Sequence, residues 1–198
     1  ACAPYRRLHL CDYNLESISN YDSNARHKLL AEVCMAAKYE GDSIKTPYLK
    51  HKQTNNDSAS QLCTVLARSF ADIGDIVRGR DLYLGNDDEE RKKRKQLENN
   101  LKTIFKQIHE GLSRKNGVKD HYNDPKGDFF KLREDWWNNN RKMVWRAITC
   151  GVKDNRYFRA TCGINDSWTG DDCRCTTHDV PTYFDYVPQY LRWFEEWA

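Results

Sequence analysis

The sequence predicts an all-α fold, an elongated helical bundle with disulfide-stapled loops. Three observations predict it: apolar residues recur at helical spacing over several long stretches, strand patterns are almost absent, and eight cysteines are present. With 198 residues, of which 39% are hydrophobic and 31% charged, the chain fits one globular domain or two small lobes that share a core. We therefore do not expect these 198 residues by themselves to form a long multidomain assembly.

The first predicted helix begins after residues 22–24, whose side-chain oxygens can cap a helix N-terminus. Leu29 and Val33 then belong to an apolar series with spacings of three and four. Gly41 is expected to end this helix, because glycine is common just past a helix C-terminus. Residues 44–56 are expected to form a polar connector.

The second predicted helix covers about residues 60–78 and is expected to end at Gly79. One side carries the apolar residues, and the charged residues lie on or near the other side at spacings that allow paired contacts. We interpret these charges as either a solvated face or an ion network between helices. They are Arg68, Asp72, Asp75 and Arg78.

Three further helices are predicted in the C-terminal two thirds. The acids of residues 86–90 favour a helix N-terminus, and an apolar stripe follows, so a helix is expected over 87–112. The next helix is expected over 128–149. Residues 151–188 lack periodicity and are expected to be a loop layer held by disulfides, and a last helix is expected over 188–197.

The cysteines favour a disulfide framework in an oxidising compartment, outside a cell or facing a secretory lumen. A four-cysteine zinc site uses two short cysteine pairs, whereas Cys173 and Cys175 are the only close pair here. His178 could extend that pair to a zinc site, and this alternative stays open. Spacing alone does not choose among the 105 ways of pairing eight cysteines. The predicted disulfide residues are Cys2, Cys11, Cys34, Cys63, Cys150, Cys162, Cys173 and Cys175.

No pattern of catalytic or cofactor-binding residues is present. The sequence lacks a Gly-rich phosphate loop, a nucleophile elbow and a His-Glu-x-x-His pair, and its six histidines are scattered. We therefore expect no enzyme activity, no cofactor and no metal. The formal net charge of +3 gives no bulk positive excess, so a nucleic-acid partner is not expected either.

The densest cluster of positive charge is the run 91–95, which follows four acids. It is either a solvated helix end that balances its own charges, or part of a surface that binds a sulfated polysaccharide by charge. Other cations are expected on the same glycan-facing or receptor-facing surface. The full set of candidate binding residues is Arg91, Lys92, Lys93, Arg94, Lys95, Lys50, Lys52, Arg6 and Arg7, with His51 beside the two lysines of its segment.

Five sequence blocks carry a family resemblance, and they follow one another in family order over nearly the whole chain. The blocks are Cys2–Cys11, Leu29–Lys38, Ser69–Gly79 (SFADIGDIVRG), Arg133–Trp137 (REDWW, followed by Val144–Trp145) and Pro188–Trp197 (PQYLRWFEEW). They resemble the Duffy-binding-like domain, and more narrowly the alpha class of Plasmodium falciparum erythrocyte membrane protein one. The resemblance implies a subdomain one at about residues 1–50 and a helical subdomain two at 51–198, with the family's third, cysteine-rich subdomain absent.

The resemblance also implies a disulfide arrangement. In related domains the cysteine before the Phe-Ala-Asp-Ile-Gly motif pairs far along the chain, so Cys63 is expected to bridge to the region of Cys150 or Cys162. At least three disulfides are expected. Two glycosylation sequons, Asn56–Ser58 and Asn165–Ser167, are expected to be bare, because the resemblance points to a parasite that adds few or no N-glycans.

The function implied by the resemblance is cell adhesion without catalysis. Such a domain is expected on the surface of the infected erythrocyte, on the extracellular face of a larger membrane-anchored adhesin. Its expected partners are host receptors on red cells or endothelium, heparan sulfate-like glycans, antibodies and adjacent domains of the same adhesin, as in rosetting and cytoadherence. The alternative is a structural head spacer that presents an antigenic surface while a neighbouring domain binds the receptor. Binding residues are expected in the variable segments between the shared blocks.

Overall fold

The computed structural model describes residues 2–16, 18, 25–54, 61–112, 117–159, 161–162, 167–177 and 179–198, with the backbone alone at 25–26 and 49–54. Most of this chain is helical, so the all-α prediction is confirmed. The elements in chain order are α1 (Tyr5–Leu8), α2 (Tyr13–Glu16), α3 (Ala25–Thr54), α4 (Gln61–Arg78), α5 (Asp88–Glu110), α6 (Val118–His121), α7 (Phe130–Ile148), the short antiparallel strands β1 (Thr161–Cys162) and β2 (Ser167–Trp168), a 3-10 helix (Phe184–Tyr186) and α8 (Gln189–Trp197).

Helix α3 is much longer than the sequence indicated. It continues through Gly41 and Pro47, so the expected stop at Gly41 is wrong, and the expected connector over 44–56 is wrong as far as Thr54. A Cβ atom at Gly41 would lie 2.1 Å from the carbonyl oxygen of Ile148, the last residue of α7. The glycine is therefore needed for the close approach of two helices, and not for a turn.

Helix α4 lies at the centre of the fold, and all of its residues 69–78 are buried. It ends as predicted at Gly79, which adopts a left-handed φ of 71°. Halfway along, Gly74 faces α7, where a Cβ atom would lie 2.7 Å from the indole ring of Trp137. Because Gly74 has no side chain, α4 and α7 can pack closely.

The adjacent tryptophans of α7 are both buried and contact different neighbours. Trp136 packs edge-on against Phe105 of α5, with ring centroids 6.1 Å apart. Trp137 packs against Phe70 of α4 at 5.1 Å, and its Nε1 donates a hydrogen bond of 2.9 Å to Asp185. The pair therefore joins α7 to both α5 and α4.

Helix α5 begins at its acidic segment, as the sequence predicts. Asp87 caps the helix by accepting a hydrogen bond of 2.8 Å from the backbone N–H of Glu90. Glu90 in turn accepts one of 3.0 Å from the N–H of Asn86. Along the helix, the side that faces the core carries a buried apolar stripe of Leu97, Leu101, Ile104, Phe105 and Ile108.

Two disulfides hold the loop layer after α7. Cys63 of α4 is bonded to Cys173, across a sequence separation of 110, and Cys162 is bonded to Cys175. The expected long-range bond from Cys63 exists, but it reaches Cys173 and neither of the two cysteines, Cys150 and Cys162, that marked the expected region. The zinc alternative also fails at Cys173 and Cys175, since each is bonded to a different cysteine, and His178 lies outside the described residues. The expectation of at least three disulfides is not met, because four cysteines are free: Cys2, Cys11, Cys34 and Cys150.

One apolar core extends over the helices and the loop layer. The expected subdomain boundary at residue 50 falls inside α3, and Val33 on one side of it belongs to the same core as Phe70 on the other.

The two ends of the described chain meet, because Nε1 of Trp197 donates a hydrogen bond of 3.0 Å to the carbonyl oxygen of Cys2. No helix within the described ranges is long and apolar enough to cross a membrane.

Candidate functional site

The charges of α4 form a buried network with the N- and C-terminal helices. Arg192 of α8 donates to Asp72 at 2.7 Å and to Asp75 at 2.5 Å. Arg6 of α1 donates to Asp72 at 2.7 Å and to Glu196 at 2.9 Å. Of the two interpretations of these charges, the ion network between helices is therefore correct, and the solvated face is not.

The two acids of this network differ in their pKa shifts. Burial alone would raise both values, but the guanidinium groups of Arg6 and Arg192 hold the pKa of Asp72 below its ordinary value. At Asp75 burial outweighs the attraction of Arg192 and Arg78 and raises the pKa to about 6. The arginines therefore fully offset the effect of burial on the carboxylate of Asp72, and they offset it only partly at Asp75.

Other arginines of the shared sequence blocks also make hydrogen bonds inside the protein. Arg133 is fully buried and donates to the carbonyl oxygen of Val77 at 2.7 Å and to Glu98 at 2.7 Å. Arg78 is buried and donates to Asp75 at 2.8 Å. These buried arginines of the shared blocks thus hold helices together and are unavailable to a ligand.

Three of the predicted binding residues are also turned inward. Arg7 is 1% exposed and donates to Asp81 at 3.3 Å, and Arg6 belongs to the buried network. Arg94 of α5 pairs with Asp12 and donates to Glu16 of α2 at 2.9 Å. These three guanidinium groups therefore do not belong to an exposed binding surface, which corrects the sequence prediction for Arg6, Arg7 and Arg94.

The remaining cations of the run 91–95 are exposed. Arg91 pairs with Asp88 at 2.9 Å, and Lys93 pairs with Glu89 at 3.2 Å. Lys92 and Lys95 have no ion pair within the described chain. Lys50 and Lys52 belong to the last part of α3, where side chains lie outside the description, so their place on this surface stays a prediction.

Two lysines that the sequence reasoning missed extend the exposed side of α5. Lys102 pairs with Asp128 at 2.6 Å, and Lys106 is exposed without an ion pair in the described structure. Neither lysine belongs to a contiguous run of cations. Their spacing from Lys92 and Lys95, in steps of three, seven and four, is the sequence signal that finds them.

An acidic cleft borders the basic run on its other side. The cleft has a volume of about 440 Å³ and lies between the N-terminal segment and the start of α5. Its lining includes carboxylates from both segments, and Arg94 and Lys93 lie among them. This side of the helix disfavours an anion. The carboxylates are Asp12, Glu16, Asp87, Glu89 and Glu90.

Comparison with known proteins gives the family. The model of the Duffy binding domain family matches residues 1–192. The chain belongs to this family. It is thus an adhesion domain of the Duffy-binding-like kind found in Plasmodium surface proteins.

Solved structures place the resemblance more narrowly. The NTS-DBL1α1 domain of Plasmodium falciparum membrane protein 1 (PfEMP1) from the varO strain is 43% identical, with a TM-score of 0.79 over 100% of this chain and 43% of that one. A PfEMP1 DBLβ domain, solved bound to human ICAM-1, is 31% identical, with a TM-score of 0.71 over 97% of this chain and 38% of that one. The higher identity to the DBL1α1 domain supports the alpha class.

Curated relatives are longer and more distant. The Duffy receptor beta form of Plasmodium knowlesi is 26% identical over 206 residues, which cover 100% of this chain and 14% of that protein. The Duffy receptor of Plasmodium vivax (strain Salvador I) is 24% identical, over 100% of this chain and 15% of that protein. The chain therefore spans about one seventh of these relatives.

Proposed function

We propose that this chain is a non-catalytic adhesion domain on the surface of the infected erythrocyte, where it binds a host cell-surface molecule that carries sulfated glycan. The relatives support binding to a host protein or cell, since one PfEMP1 domain was solved bound to human ICAM-1. The relatives from Plasmodium knowlesi and Plasmodium vivax are named Duffy receptors. Adhesion in rosettes or to endothelium, and contacts with antibodies and adjacent domains, belong to the same proposal.

A single observation supports the choice of surface. Charged side chains at the centre of the shared blocks, among them Asp72, Arg133 and Arg192, are buried in internal ion pairs. The densest run of exposed cations in the described chain lies in the segment between two blocks, at the start of α5. The proposed glycan-contacting residues are Arg91, Lys92, Lys93 and Lys95, with Lys50 and Lys52 as further candidates.

Another specific observation favours the alternative of a structural spacer and antigenic surface. Two of the four exposed cations already have carboxylate partners one turn earlier, namely Arg91 with Asp88 and Lys93 with Glu89. Such exposed pairs contribute little free energy and are typical of a solvated helix face. In that case a neighbouring domain would bind the receptor.

Retention on a heparin column across a salt series distinguishes these two functions. We expect the wild-type chain to elute above physiological salt and the variant Lys92→Glu, Lys93→Glu, Lys95→Glu to lose that retention. A control with the same change in net charge replaces the exposed lysines Lys38, Lys126 and Lys153 by Glu, and it should keep most of the retention. Equal retention of the two variants would contradict the proposed surface, and no retention of the wild type would favour the spacer.

A further inference from the structure

We propose that the exposed side of α5 is a linear site for a polyanion, in which a sulfated polysaccharide chain lies along the helix axis over a lysine row. The lysine row consists of Lys92, Lys95, Lys102 and Lys106. This inference rests on the glycan binding proposed above, and it extends the site beyond the run 91–95 along most of the helix.

The geometry of α5 places the lysine row on one side. At about 100° per residue, the four lysines fall within an arc of about 80°, and Asn99 lies in the same arc. The arc is opposite the buried stripe that contains Leu101 and Ile108. With a rise of about 1.5 Å per residue, the row is about 21 Å long from its first to its last lysine.

The lysine row is poorly neutralised by the protein. Only Lys102 has an ion pair within the described chain, at 2.6 Å to Asp128. Glu98, the one acid of α5 between the ends of the row, is turned away and accepts hydrogen bonds of 2.7 and 2.9 Å from Arg133. Like charges at spacings of three and four repel each other along a helix. An external anion with several charges would relieve this repulsion.

Acids mark both ends of the lysine row. Asp88 lies one turn before Lys92 on the same side of the helix, and Glu110 lies one turn after Lys106. The acidic cleft closes the flank beside the run 91–95. Repulsion from these carboxylates disfavours an anionic ligand that runs past the ends of the lysine row or crosses toward the acidic cleft. The favoured orientation of the ligand is therefore along the axis of α5.

The residue types favour a sulfated polysaccharide over a nucleic acid. Ammonium groups on flexible stems act as mobile point charges and fit sulfates at irregular spacing. Binding of single-stranded nucleic acid adds exposed aromatic rings on which bases stack. No exposed large hydrophobic residue of the described chain lies on α5. Binding of a sulfated sugar chain requires positive charge and needs no aromatic surface for stacking.

The test uses the far half of the lysine row, which the basic run does not include. In Lys102→Gln, Lys106→Gln, we expect lower heparin retention and a salt slope smaller by about 2, one per lysine removed. The control, Lys38→Gln with Lys153→Gln, removes the same charge from exposed sites outside α5 and should leave the slope unchanged. Urea denaturation of all the proteins checks that they are folded.

Ligand length supplies a second readout. Affinity for heparin oligosaccharides should rise with length until the chain spans the row, and the double variant should lose the gain that longer chains give. Unchanged retention of the double variant, in a wild type that binds heparin, overturns the lysine row while the proposed function stands. No binding by the wild type overturns both. Stronger binding of a single-stranded oligonucleotide than of a heparin chain of equal charge also overturns the choice of ligand.

Discussion

Asp72 has no exposed surface and interacts with two guanidinium groups, those of Arg6 and Arg192, each at 2.7 Å. The substitution Asp72→Asn would leave both arginines buried without this counter-charge. Breaking a buried ion pair from one side costs about 3 to 5 kcal/mol. We therefore expect the free energy of unfolding at pH 7 to fall by about that amount, measured by urea denaturation.

The cost of Asp72→Asn should shrink in acid. The folded pKa of Asp72 is lowered by its arginine partners, so its ionisation stabilises the fold above the ordinary value of 3.8, and this contribution is lost as pH falls through the folded pKa. Asp75→Asn is the control with the opposite sign. Burial raises the pKa of Asp75 to about 6, so the neutral acid favours the fold below 3.8 and that contribution is lost as pH rises through about 6. Costs that change with pH in the same direction for both variants would refute this assignment.

Arg94 illustrates what the sequence reveals about single residues. It lies among five consecutive cations that look alike in sequence, yet its guanidinium group is paired with Asp12 and Glu16. Those partners are about eighty residues away: Asp12 directly precedes α2, a helix of four residues, and Glu16 ends it. The density of charge was predictable, whereas the inward position of Arg94 depends on how distant segments pack.

Gly41 gives a test at the scale of helix packing. In Gly41→Ala the new methyl group would meet the carbonyl oxygen of Ile148 at 2.1 Å, and this oxygen belongs to backbone that must shift. Overpacking of this kind costs about 1 to 3 kcal/mol, more than the roughly 1 kcal/mol that alanine adds in helix propensity. We expect lower stability in thermal unfolding. Gly111→Ala, where the nearest contact is 3.6 Å, is the control and should change stability little.

Helices with a clear apolar period were predictable, and those without one were not. The ends of α4, α5, α7 and α8 lie within about two residues of the predicted limits, because each has a periodic stripe and a recognisable cap or stop. Helices α1 and α2 have four residues each, too few to show a period. At α3 the local signal at Gly41 was misleading, because close packing and chain reversal both select glycine.

The bond between Cys63 and Cys173 constrains the whole molecule. Because the two residues are 110 apart, replacing both by Ser should lower the free energy of unfolding by about 4 to 5 kcal/mol in the chain-entropy model. Replacing Cys162 and Cys175, only 13 apart, should cost about 3 kcal/mol. Urea denaturation without reductant gives both values. An equal or larger cost for the short bond would contradict this ranking.

The path of the chain explains why the disulfide pairing was only half predictable. The family resemblance indicated that Cys63 bonds far along the sequence, and it does. The sequence could not choose among the cysteines of the loop layer, since Cys162 and Cys173 both lie in a segment without periodicity. The choice depends on where that segment lies over α4, which is a property of the folded molecule.

The hydrogen bond between Trp197 and Cys2 has a mechanical consequence. Because residues 2 and 197 lie side by side, a force that pulls these two residues apart would first load the contacts between them, including the pair of Arg6 and Glu196 at 2.9 Å. The helices that lie between them in the chain are not in series with that force, so they would keep their shape while this junction opens.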